Sequence, residues 1–143
     1  MKEPEEIATW IRRTYPELIE QTVAAREDVA GAWEGTATED RGLVVPPLER
    51  ELEARGLLSA YVELLDALRA RTPYGEDQSF VAAPPYVVVT SCGPLLRLTG
   101  RTQRLLVRFE LFTVEPGPRY RTRRCTGDGV VAVYRQRTDR EFT

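Results

Sequence analysis

The sequence predicts an α+β domain: one long kinked helix and a helical hairpin, packed on one face of a C-terminal antiparallel β-meander of about four strands. Three observations lead there. Apolar residues recur at helical spacing through the first part and at strand spacing from about Phe80 onward. Net charge changes sign near the same place. Residues 1–79 carry 9 basic and 17 acidic side chains, and residues 80–143 carry 11 and 5. Short turns joining the later strands favour antiparallel neighbours, and helices gathered ahead of strands separate α+β from alternating α/β.

The first helix is expected over roughly residues 4–31. Pro4 suits a first helical turn, and Glu3, Glu5 and Glu6 complement its dipole. Ile7, Trp10, Ile11, Tyr15, Leu18, Ile19, Val23, Val29 and Trp33 form one broad stripe at about 100° per residue. Pro16 removes a backbone bond and biases Tyr15 away from helix. The stripe keeps its phase across it, so a kink is expected. Gly31 to Val45 reads as a loop, and its Glu34, Glu39 and Asp40 as solvated carboxylates without metal-site spacing.

Pro46-Pro47 opens the hairpin. Leu48 and Leu52 face inward, Gly56 caps, and Leu57 follows as the capping contact. Leu58, Tyr61, Val62, Leu64, Leu65 and Leu68 make the second apolar face, which ends before Pro73-Tyr74-Gly75. The outline is that of a helix-turn-helix, but Glu49, Glu51, Glu53, Glu63 and Asp66 would repel DNA. A packing hairpin is expected.

Four well-patterned strands follow, with one weakly alternating edge strand among them. Tyr86–Thr90 is rich in β-formers, Cys92-Gly93-Pro94 turns, and Leu95–Thr99 returns. Gly100–Gln103 is a hairpin loop. Arg104–Val114 alternates, with Leu105, Val107, Phe109 and Leu111 on one face and Arg104, Arg108 and Glu110 on the other. Arg119–Arg123 reads as an edge strand, Gly127-Asp128-Gly129 as a turn, and Val130–Tyr134 as the last strand. The whole of 1–143 is expected to be a single domain, helical over 1–79 and sheet over 80–143.

Composition narrows function by exclusion. There is no histidine, which removes Ser-His-Asp and Cys-His catalysis and histidine-ligated metals. Cys92 and Cys125 form no C-x-x-C pair and read as free thiols. Thr126-Gly127-Asp128-Gly129 lacks the lysine and following helix of a P-loop. Neither cofactor, metal nor catalytic residue is expected. The polar, acidic start lacks the pattern of a signal peptide, and no apolar run approaches the roughly 20 residues of a membrane span. A cytoplasmic chain without a membrane is expected.

All basic residues but Lys2 are arginine, which suits packed ion pairs and anion contacts. Arg97, Arg104 and Arg108 are expected on the sheet face away from the helices, with Arg135 beside them. Arg119, Arg121, Arg123 and Arg124, with Tyr120 interleaved, suit phosphate contacts with a stacking ring. Edge protection and ion pairing with the acidic helices serve equally well for that run.

Pro84-Pro85-Tyr86-Val87-Val88-Val89-Thr90-Ser91, Gly93-Pro94-Leu95-Leu96-Arg97 and Arg104-Leu105-Leu106-Val107-Arg108 resemble small uncharacterised proteins of haloarchaea. The resemblance spans the middle third of the chain and implies no activity. The charge division leads to the functional expectation: a non-enzymatic protein-interaction domain, binding a partner or a second copy as a homodimer. The alternative is binding of the nucleic-acid backbone through the arginine-rich sheet half.

Overall fold

The computed structural model describes residues 3–71, 87–99, 103–123 and 127–137. The expected loop around Pro84-Pro85, the hairpin tip at 100–102, and Arg124 and Cys125 lie outside these residues. The described chain is α+β. Helices α1 (Pro4–Thr14), α2 (Pro16–Ala30), α3 (Val45–Ala54) and α4 (Leu57–Arg71) pack against strands, and strand β1 (Ala37–Thr38) lies between α2 and α3. β2 (Val87–Val89), β3 (Pro94–Thr99), β4 (Gln103–Phe109), β5 (Phe112–Glu115) and β6 (Arg119–Thr122) follow. A single helical turn, α5 (Gly127–Val130), stands where a plain turn is expected and leads into β7 (Val131–Arg137).

The expected kinked helix is two helices. Tyr15 leaves the helical region (φ −125°, ψ 49°) and Pro16 starts α2 as its first residue. Proline has no N–H to continue the ladder and crowds the residue before it, which turns the kink into a break. The apolar stripe survives because both helices bury the same side: Ile7 and Ile11 on α1, and Leu18, Ile19 and Val29 on α2. Gly56 takes φ +71° between α3 and α4, a conformation that favours glycine. Arg55, at the end of α3, reaches α2. Its guanidinium donates to Gln21 Oε1 and Asp28 Oδ2, both at 2.6 Å. The Arg55 hydrogen bond holds the Asp28 carboxyl below the usual aspartate range.

The strands form two antiparallel sheets rather than one meander. β2-β3-β4-β7 make the larger sheet and β1-β6-β5 the smaller. β6 is therefore the central strand of its sheet, which corrects its reading as an edge. The expected continuous strand Arg104–Val114 is also divided. β4 ends at Phe109 and the chain crosses to β5, with Glu110 N donating to Val130 O at 2.7 Å. Leu111 N and Phe112 N both donate to Cys92 O, at 2.7 and 3.0 Å.

Gly93 makes this corner possible. A Cβ there would lie 2.0 Å from the Phe109 carbonyl oxygen, and its φ is +142°. Only glycine admits that backbone approach. Thr90 completes the turn by donating from its hydroxyl to Gly93 O at 2.7 Å.

One apolar core joins helices and sheets. Leu96 and Leu98 on β3, and Leu105, Val107 and Phe109 on β4, meet Ile7, Ile11, Leu48, Leu52, Tyr61, Leu64, Leu65 and Leu68 from the helices. Tyr61 stacks obliquely on Phe109 at 5.1 Å, and Trp33 meets Phe112 at 5.5 Å. No described helix is long and apolar enough to cross a membrane.

Candidate anion- and partner-binding face

Strand parity builds the candidate site. Because Leu96, Leu98, Leu105, Val107 and Phe109 point to the core, their alternate neighbours point away from it. Register then places these outward residues in rows. Val88, Leu95, Arg108 and Ala132 form one row across β2-β3-β4-β7. Arg97, Leu106 and Tyr134 form the next, and Thr99, Arg104 and Gln136 the third. Arg97 is diagonal to both Arg104 and Arg108. Diagonal neighbours across a sheet lie about 7–8 Å apart, within reach of converging guanidinium groups.

The acidic helices cover the opposite side of this sheet. The expected positions of Arg97, Arg104 and Arg108 therefore hold, and their charges do not meet the helical carboxylates. All three arginines are half-buried by their neighbours, while Tyr134 is 42% exposed. Aliphatic side chains interleave with the charges, giving an amphipathic rather than a purely basic face.

The three arginines differ in how they are held. Arg108 Nη2 donates to Glu110 Oε2 at 2.5 Å, and its guanidinium carbon lies 5.2 Å from the centre of the Tyr134 ring. Burial opposes its charge. The hydrogen bond and the nearby charge of Glu110 more than offset this, holding Arg108 above an ordinary arginine. Glu110 Oε1 also approaches Arg123 Nη2 at 3.9 Å, so this carboxylate is shared. The guanidinium groups of Arg97 and Arg104 have no hydrogen bond or ion pair to any described residue. Arg104 Nε is shielded from solvent as well as unpartnered.

The described members of the second group of arginines do not join this face. Arg119 is exposed on the smaller sheet. Arg121 is occupied by Glu115 Oε1 at 3.5 Å and Thr36 Oγ1 at 3.3 Å. Arg123 lies beyond the end of β6, with its Nη2 3.9 Å from Glu110 Oε1. Tyr120 is a correction: with 4% exposure its ring is part of the core and has no face free to stack on a base.

Arg135 is a second correction. It pairs across the sheet with Leu105, on the helix side, and its Nη1 lies 3.9 Å from Glu3 Oε1. Val131 and Val133 share that parity, and their alternation carried the signal. Tyr134, Leu95, Leu106, Thr99 and Gln136 join the face unforeseen, because their places depend on cross-strand register.

These features define an α+β domain with an arginine-bearing sheet face that its own helices leave open. The chain belongs to the family described as Domain of unknown function (DUF7988), whose family model matches residues 5–135. Neither the curated proteins nor the solved structures include a significant match.

Proposed function

We propose that this domain is a non-enzymatic binding module whose open sheet face takes an acidic protein surface. The observation that carries this reading is the alternation of Arg97, Arg104 and Arg108 with Val88, Leu95, Leu106 and Ala132 on one face. Carboxylates of a partner would pair with the guanidinium groups while its apolar side chains cover the aliphatic ones. Among the described residues, Tyr134 is the one aromatic side chain on the face, so bases would find little stacking surface there.

The face measures roughly 15 by 17 Å, from strand spacing and residue rise, or about 250 Å². A standard interface buries about 800 Å² on each partner. Contact through this face alone is therefore weak, fast and sensitive to salt. A two-fold dimer made by this face alone would set arginines against arginines. Self-association instead requires the acidic helices of the second copy, a head-to-tail contact.

A short peptide alternating glutamate and leucine tests the reading, against a single-stranded oligonucleotide of equal charge. Fluorescence anisotropy is expected to show tighter binding of the peptide, weakening about tenfold or more from 50 to 300 mM salt. Binding should disappear in the R97A/R104A variant. Tighter binding of the oligonucleotide, or unchanged peptide binding by the variant, would overturn it.

A further inference from the structure

Arg104 is distinguished from the other shielded arginines among the described residues. Among the described residues, three arginines, Arg12, Arg69 and Arg104, have a solvent-shielded Nε without an acceptor. Arg12 nevertheless donates through Nη2 to Val131 O at 3.2 Å, and Arg69 Nη1 lies 4.0 Å from Asp66. Arg104 has no partner among the described residues through any guanidinium nitrogen. A guanidinium without an internal acceptor keeps its Nη donors for an external one.

Its surroundings specify the missing acceptor. Thr99 and Gln136 flank Arg104 in register, and Arg97, also unpartnered, is its diagonal neighbour. The carboxylate of Glu110 belongs to the other end of the face. Six residues of extended strand separate it from Arg104, about 20 Å. Among the described residues, this end therefore presents two uncompensated positive charges, a hydroxyl and a carboxamide.

We propose that Arg97, Arg104, Thr99 and Gln136 form a subsite for a dianionic phosphate ester, carried on a side chain of the partner protein. This rests on the binding face described above and names its anchoring group. A phosphate monoester carries between about −1.5 and −2 charges and three acceptor oxygens. It balances both guanidinium groups and offers oxygens to their Nη donors, whereas one carboxylate leaves one positive charge unmatched. The neighbouring Leu106 and Leu95 favour a peptide over a nucleotide as the carrier.

The test follows the arginine Nε–H signals of the full chain by ¹⁵N NMR. Inorganic phosphate at pH 7.5 is expected to move the Arg104 signal downfield and to saturate, with acetate at equal ionic strength about tenfold weaker. Arg104→Lys should abolish the response at Arg97, and Arg119→Lys, on the other sheet, should leave it intact. A phosphoserine peptide should saturate the signal below the concentration needed for a 5′-phosphorylated dinucleotide. The proposal fails if there is no saturation, if acetate equals phosphate, if Arg119 shares the response, or if the dinucleotide binds more tightly. Failure here with the Glu–Leu peptide still bound removes the subsite and leaves the binding face. Loss of both removes the face as well.

Discussion

The hydroxyl of Thr22 has one proton, and the Leu18 carbonyl lies 2.7 Å away to receive it. The contact of Thr22 Oγ1 with Tyr61 Oη, also 2.7 Å, then has Tyr61 as donor. Tyr61 is fully buried, and burial pushes its phenol well above the ordinary value. A raised folded-state value means this stabilisation is complete below the unfolded value, about pH 10, and is lost as pH rises beyond it. Tyr61→Phe should therefore cost about 1 kcal/mol at pH 8. That deficit should shrink in denaturant titrations between pH 10 and 11.5, since phenylalanine has no proton to retain. Parallel stability curves across that range would contradict the burial of a neutral phenol.

At the scale of elements, β4 shows how one residue of register separates core from binding face. Leu105 is fully buried and pairs with Arg135, whereas Leu106 points outward between Arg97 and Tyr134. Leu105→Ala should cost about 2–5 kcal/mol, and Leu106→Ala less than about 1.5 kcal/mol, read from urea midpoints. The reverse order would contradict the register. This alternation is legible in the sequence, since hydrophobic residues at 105, 107 and 109 are separated by polar or less buried ones. The end of β4 is not legible. Leu111, Phe112 and Val114 continue the β-forming pattern, and the corner is fixed by Gly93 against the Phe109 carbonyl and by two amides meeting Cys92 O. Those contacts join segments distant in sequence. The helix break at Pro16 was readable as a disturbance, but the choice between kink and break lay in Tyr15 alone. Tyr120 shows a similar limit: its neighbours Arg119 and Arg121 signal a surface strand, while its own ring is drawn into the core.

For the whole molecule, the separation of charge acquires a direction. The helices that carry most of the carboxylates cover the apolar side of the larger sheet, so they do not neutralise Arg97, Arg104 and Arg108 on its other side. Among the described residues, other arginines are compensated instead: Arg55 with Asp28 and Glu51 between helices, Arg121 with Glu115 in the smaller sheet, Arg108 with Glu110 at the edge of the face, and Arg135 with Glu3 on the helix side. The most direct test locates bound Glu–Leu peptide by methyl NMR of the full chain. Binding through the open face predicts shifts at Val88, Leu95 and Leu106, with Val62 and Leu43, exposed elsewhere, unchanged. Shifts confined to Val62 or Leu43, or an unperturbed Leu106 at saturating peptide, would contradict the account.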